Sequence, residues 1–222
     1  MSDFQLVIGN KNYSSWSLRA WLALRQTGAD FEEILVPLDE PDTHLEILRH
    51  SPSGRVPCLL HEGRAIWDSL AICEYLAELF PEAGLWPADR AARAHARSIS
   101  AEMHSGFAAL RSIMPMNIRR KPGAFPIGEP VRADIARICS IWRDCCNRYH
   151  ADDDPDDPGF LFGAFGAADA MYAPVVWRFH SYGVDLPESC AGYAQRIRAL
   201  PAMKEWADAA RDEPWVIESE EK

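Results

Sequence analysis

Hydroxyl side chains crowd one short stretch of the chain, Asn12-Tyr13-Ser14-Ser15-Trp16-Ser17, between an apolar run from Phe4 to Ile8 and a helix-like segment from Leu18 to Leu24. A strand that empties into a polar turn and then a helix presents hydroxyls and unpaired backbone N–H groups at one corner, a place that suits a developing anion. Serine is also a favoured helix cap, and capping accounts for one of these serines. Two later segments carry further chemistry. Ser53-Gly54-Arg55-Val56-Pro57 is an open loop whose proline stands at the start of a strand, compatible with a cis X–Pro bond and equally with an ordinary trans turn. Trp67-Asp68-Ser69 sets a carboxylate just ahead of a hydroxyl residue that opens a helix. That helix end can receive a ligand carboxylate while Asp68 accepts from a ligand ammonium, or the two residues simply cap the helix.

The elements that must position these residues alternate in a β/α rhythm. Phe4 to Ile8 reads as a strand, Ser17 to Thr27 as a helix, Phe31 to Pro37 as a second strand and Thr43 to His50 as a short helix. Cys58 to His61 and Ala65 to Trp67 form a hairpin around Glu62-Gly63-Arg64. Ser69 to Phe80 follows as a helix with Leu70, Cys73, Leu76 and Phe80 on one buried stripe. From Pro81 to Pro87 the chain turns rich in Pro and Gly, and strand-like alternation stops, which places a domain boundary there. Helical patterns then run from Asp89 to about Met114, Pro130 to about His150, Gly166 to about Tyr182, Pro187 to Leu200 and Pro201 to Arg211. The expected domains are 1–81, mixed α/β, and 88–222, all-helical; no internal repeat is present.

Composition narrows the function. With 222 residues, 48% hydrophobic and 25% charged, the chain can bury a large core and has no bias toward disorder. A net charge of −10 argues against a nucleic-acid binder, which needs a basic face. No apolar stretch approaches a membrane span, and Met1-Ser2-Asp3 has no basic region ahead of an apolar one, so no membrane partner and a cytoplasmic location are expected. Six cysteines show no C-x-x-C pair and no zinc spacing with the seven histidines, and read as buried thiols in a reducing compartment. Adjacent Cys145 and Cys146 point to different sides of a helix, which disfavours a disulfide between them. The acidic run Asp152 to Asp157 lacks the Gly and terminal Glu of an EF-hand loop and reads as a solvated loop, so no metal is expected.

Taken together, Ser14-Ser15-Trp16-Ser17, Ser53-Gly54-Arg55-Val56-Pro57 and Trp67-Asp68-Ser69, in this order and on these elements, resemble a cytosolic glutathione transferase. The resemblance covers nearly the whole chain and implies a thioredoxin-like α/β domain followed by an all-α domain. It implies glutathione as co-substrate, a small electrophile as second substrate, a homodimer, and a role in detoxification. By resemblance Val56-Pro57 is cis, Val56 pairs with the tripeptide backbone like an added strand, and Arg55, Val56, Pro57, Asp68 and Ser69 bind glutathione. The serines occupy the corner where thioredoxins carry C-x-x-C, so a hydroxyl donating to the glutathione sulfur replaces dithiol chemistry.

Ser14-Ser15-Trp16-Ser17-Leu18-Arg19 is similar to the serine-type classes, zeta above all, with Trp16 where zeta has a cysteine. The match makes Ser14 the expected thiol-activating residue, with Ser15 a helix cap or second donor. Tyr13, one residue earlier, is a rival hydroxyl with an expected packing role. The zeta likeness brings a second reading, a glutathione-dependent isomerase, and a third is a non-catalytic interaction protein on the same fold. Gly163 to Asp169 resembles the family's capping box, with Gly166 where Ser or Thr is usual and Asp169 structural. The second-substrate pocket is expected against the helix after the linker, where Met103, Phe107 and Arg111 fall at i, i+4 and i+8 with His104 alongside. Met103 and Phe107 at that spacing also suit a core, and Arg111 is either a substrate cation or a partner of Glu102.

Overall fold

The computed structural model describes residues 3–150 and 158–222; the acidic run from Asp152 to Asp157 lies outside the described residues. Four strands form one mixed sheet: β1 (Phe4–Ile8), β2 (Phe31–Leu35), β3 (Cys58–His61) and β4 (Arg64–Trp67), in the order β2-β1-β3-β4. β1 runs parallel to β2 and antiparallel to β3, and β3–β4 is a hairpin. Three helices belong to this half, α1 (Ser15–Gln26), α2 (Thr43–Leu48) and α3 (Ser69–Leu79). Side chains alternate across β1. Leu6 and Ile8 enter the main core with Leu18, Trp21, Leu22 and Leu76, whereas Val7 joins Val36, Ile47 and Cys58 in a smaller cluster that includes α2.

Helices make up the rest: α4 (Arg90–Ser105), α5 (Ala108–Ile113), α6 (Glu129–Tyr149), α7 (Ala167–Ser181), α8 (Glu188–Ala199) and α9 (Pro201–Asp212). α7 is buried along almost its whole length and packs on both α1 and α4. It therefore carries the corner residues of α1 against the helical half, and the main core runs through both. The half-box at its start is present: the Gly166 N–H donates to Asp169 Oδ2 at 2.9 Å. Among the described residues no helix is long and apolar enough to cross a membrane, and no cluster of three or more His, Cys, Asp or Glu could hold a metal ion.

Three expectations need correction. The single helix from Asp89 to Met114 is two, because Gly106 leaves helical geometry and Phe107 adopts φ 56°, turning the chain before α5. A side chain on Gly106 would meet the Glu102 carbonyl oxygen at 2.6 Å, so only glycine fits this junction. Met103, Phe107 and Arg111 consequently do not share one helical face. Second, α1 begins at Ser15 rather than Ser17, because Ser14 is the cap. Third, five of the cysteines are buried but Cys146 is half-exposed, on the outer side of α6 from buried Cys145; none of the six forms a disulfide.

Candidate functional site

Ser14 and Ser15 sit at the same corner with different hydrogen-bond commitments. Ser14 Oγ accepts from the Ser17 N–H at 3.3 Å and donates to Ser17 Oγ at 2.8 Å, and Ser17 Oγ in turn accepts from the Gly9 N–H at 3.0 Å. This hydroxyl chain ties the helix start to the end of β1. Ser15 Oγ instead accepts from Arg178 Nη2 at 3.1 Å, which leaves its own proton to donate. Both serines line one cleft of about 540 Å³ with Trp16, Arg55, Val56, Arg111, Arg178, Ile217 and Glu220.

A second cleft of about 550 Å³ is lined by Trp16, Ser53, Arg55, Val56, Pro57, Trp67, Asp68, Ser69 and His104. Trp16, Arg55 and Val56 line both, so the clefts adjoin along these residues. The Val56–Pro57 bond is cis, and Val56 precedes β3, which begins at Cys58. Gly54 holds φ +63° beside the His44 ring, a conformation and a space that only glycine combines.

Asp68 has φ 76°, a left-handed conformation rare for a residue with a side chain, of the kind that collects at functional sites. Its Oδ1 caps α3 by accepting from the Leu70 N–H at 2.9 Å and the Ala71 N–H at 3.4 Å. Its Oδ2 lies 3.2 Å from His104 Nε2 and remains 40% exposed as a side chain. Capping therefore uses one oxygen and leaves the other on the cleft. Next to it, Ser69 Oγ is fully buried with no hydrogen-bond partner among the described residues. A buried unpartnered hydroxyl costs about 1–3 kcal/mol, a cost that a polar ligand in this cleft removes.

Beneath Trp16 lies an unusual concentration of cations. The Arg19 guanidinium stacks 4.4 Å from the Trp16 ring centre and Arg111 lies 5.7 Å from it. Burial lowers Arg19 to about 9, with the charges of Arg178 and Arg111 adding to the effect, and its Nε and Nη1 have no hydrogen-bond partner among the described residues. Burial lowers Arg178 to about 10, opposed by the charge of Glu220. Arg178 also donates to the Met114 carbonyl, so both of its hydrogen-bond acceptors are neutral.

The sequence-derived candidates divide accordingly. Ser14, Ser15, Arg55, Val56, Pro57, Asp68 and Ser69 are brought together in the two adjoining clefts. Arg111 is there too, donating to the His104 carbonyl at 3.2 Å, while Glu102 is held by Arg137. His104 faces Asp68 rather than the serine cleft. Met103 and Phe107 lie in the core and line neither cleft. Tyr13 is clamped: its hydroxyl bonds Glu221 and receives Arg119 at 2.9 Å and the Ile217 N–H at 3.3 Å, and burial raises its pKa. Trp16, Arg178, Ile217 and Glu220 line the serine cleft and were missed as site members. Arg178 had a signal, a lone arginine in the otherwise apolar stretch Tyr172 to Phe179.

Comparison with known proteins places this geometry. Family models described as Glutathione S-transferase, N-terminal domain, and Glutathione S-transferase, C-terminal domain, match residues 13–79 and 90–209. A protein of Caenorhabditis elegans named probable maleylacetoacetate isomerase is 36% identical over 124 residues, 56% of this chain and 58% of that protein. A maleylacetoacetate isomerase of Pseudomonas aeruginosa is 28% identical over 92% of this chain and 89% of its own length. Among the first curated relatives matched, the chain spans only 33% to 58% of the other protein's length. A crystal structure of a Burkholderia glutathione transferase homolog with bound glutathione superposes with a TM-score of 0.70 at 25% identity, covering 96% of this chain and 100% of that one.

Proposed function

The chain belongs to the glutathione S-transferase family, and from that premise we propose that it is an enzyme that binds glutathione across the two adjoining clefts and adds its thiolate to a small electrophile. The observation that carries this reading is the meeting of the Ser14–Ser15 corner, Val56–Pro57 and Asp68–Ser69 around Trp16, Arg55 and Val56. Asp68 Oδ2 takes the ammonium of the γ-glutamyl group, and the unpartnered Ser69 hydroxyl takes its carboxylate. Val56 offers backbone groups to the middle of the tripeptide. The sulfur then lies toward the serine corner.

Ser15 is the hydroxyl that faces the sulfur in this reading. Its oxygen already accepts from Arg178, so its proton is available to a thiolate, and the adjacent guanidinium makes that O–H a better donor. Ser14 holds the corner through the Ser17–Gly9 chain. Proximity of the two reactants in one cleft supplies the rest of the rate. Arg111 and Arg178 make the second-substrate cleft cationic, which suits an electrophile bearing an anionic group.

That same cationic wall favours a second reading, glutathione-dependent isomerisation as in the relatives named maleylacetoacetate isomerase. The thiolate adds to one carbon of an activated cis double bond, the resulting enolate rotates about the new single bond, and re-forming the double bond expels the thiolate. Support for a homodimer comes from exposed Trp67 at the end of β4 and exposed Leu79 at the end of α3. The domains are read as 1–81 and 88–222, and the location as cytoplasmic, with a detoxifying role.

Isothermal titration with glutathione, then turnover of 4-chloro-3,5-dinitrobenzoate and of its methyl ester on the same preparation, tests the reading. Binding with chloride release supports conjugation. Absence of glutathione binding overturns it, and binding with isomerisation of a maleyl substrate but no conjugation selects the second reading.

A further inference from the structure

After α9 the chain does not leave the body of the protein but returns over the serine cleft. Glu213 is buried, and its carboxylate accepts from the Lys11 N–H at 2.6 Å and the Asn12 N–H at 3.0 Å, directly ahead of the serine corner. Arg119 donates to the carbonyls of Glu213 and Trp215 and to Tyr13, while Tyr13 also bonds Glu221. Lys222 Nζ donates to the Ser112 carbonyl at 2.8 Å. These contacts fix a strap, residues 213–222, with a short 3-10 turn over Glu218–Glu220. The strap gives the cleft two wall residues, Ile217 and Glu220.

Glu220, carried on this anchored strap, therefore lines a cleft whose other charged residues, Arg55, Arg111 and Arg178, are all cations. Among the described residues no ion pair within 4.0 Å joins it to Arg111 or Arg178. The opposite charges line one space without touching, and an acceptor's anionic group that enters to meet the guanidiniums also meets this carboxylate. Like charge brought close at a partly desolvated site opposes binding strongly, whereas a neutral acceptor feels neither partner in full.

We propose that Glu220 is a specificity-determining residue of the second-substrate cleft, a built-in counter-anion that competes with an anionic acceptor for Arg111 and Arg178 and so sets the balance between charged and neutral electrophiles. The proposal rests on the serine cleft being the acceptor site. It requires the strap to stay in place, so the effect belongs to the charge of Glu220 and not to opening of the cleft. Glu220→Gln removes the charge at nearly constant shape, and Glu220→Asp keeps it.

The test uses 3,5-dinitrobenzoate and its methyl ester, which lack a leaving group and report binding without turnover. Isothermal titration of each into the full chain and the two variants, in low salt, gives the discrimination. Glu220→Gln is expected to tighten the acid by roughly five- to tenfold while the ester stays within about twofold, and Glu220→Asp to follow the parent chain; added salt narrows the gap. Unchanged affinity for the acid overturns the proposal. So does equal tightening of acid and ester, which is the mark of a loosened strap. Failure of the acid to bind any of the proteins overturns it as well, and the glutathione titration on the same samples shows separately whether the glutathione site has failed.

Discussion

Replacing Ser15 by alanine removes the one cleft-lining serine hydroxyl whose proton is uncommitted, and the consequence follows from the hydrogen bonds. A bond donated to a charged group contributes about 1.5–3 kcal/mol, equivalent to about 1–2 pKa units at about 1.36 kcal/mol each. A free thiol with a pKa of about 8.5 is only a few per cent ionised at pH 7, and lowering it by about 1.5 units makes it about half ionised. Ser15→Ala reverses this, and the ionised fraction of bound glutathione at pH 7 falls roughly fifteenfold. The more basic thiolate is a better nucleophile, with a Brønsted slope of about 0.4–0.5, which recovers roughly a factor of five. The net loss in kcat/KM is therefore about three- to fivefold at pH 7, vanishes near about pH 8 and reverses above about pH 9, where the thiol is ionised in either protein and the variant's more basic thiolate is the faster nucleophile. Ser15→Thr keeps the hydroxyl and restores the parent profile. The assay is the ultraviolet thiolate band of bound glutathione followed against pH for Ser14→Ala, Ser15→Ala and Ser15→Thr. Ser14→Ala should instead cost about 0.5–2 kcal/mol of stability through the lost cap, with a smaller pKa change. A pKa rise confined to the Ser14 variant, or absent from both alanine variants, refutes the assignment.

Asp68→Asn keeps a good helix cap but removes the charge, so it should weaken glutathione by about 1–2 kcal/mol at this 40% exposed side chain, with little change in the urea midpoint; unaltered affinity by titration removes Asp68 as the ammonium anchor. Burial raises the Asp169 carboxyl to about 6, above the roughly 3.9 of an unfolded chain, so the folded state holds this proton more tightly. The stability this contributes is complete below about pH 4 and is lost as pH rises through about 6, and Asp169→Asn should flatten that part of the curve of unfolding free energy against pH. Gly106→Ala places a methyl 2.6 Å from the Glu102 carbonyl oxygen and should destabilise the α4–α5 junction by about 1–3 kcal/mol in denaturant titration; a neutral result removes the steric account of that break.

Local pattern was enough to establish most of the architecture. The two-residue alternation of β1 against its neighbours, the turn at Glu62-Gly63 and the apolar stripe of α3 each depend on near neighbours in sequence, and each element appears close to its expected span. Long helices such as α6 were legible for the same reason. The break at Gly106 was not, because a single glycine within a helical pattern is compatible with continuation, and burial of Phe107 in the core decides the turn. That Ser14, Ser15, Val56, Pro57, Asp68 and Ser69 come together was legible as well, since they stand at strand ends and helix starts that the β/α order brings to one edge.

What no local pattern carries is the division of labour between neighbours. Ser14 and Ser15 are chemically identical; Ser14 spends its proton on Ser17, whereas Ser15 receives Arg178 from α7, 163 residues along the chain, and keeps its own proton. The same holds for Glu220, one acidic residue among several near the end of the sequence, which the strap's anchoring to Lys11, Asn12 and Tyr13 sets against the arginines. Sequence determined which residue types stand where on each element, because backbone propensity and hydrophobic period act over a few residues. Tertiary packing decided which of them meet, because the electrostatics of a buried guanidinium depend on partners contributed by distant segments.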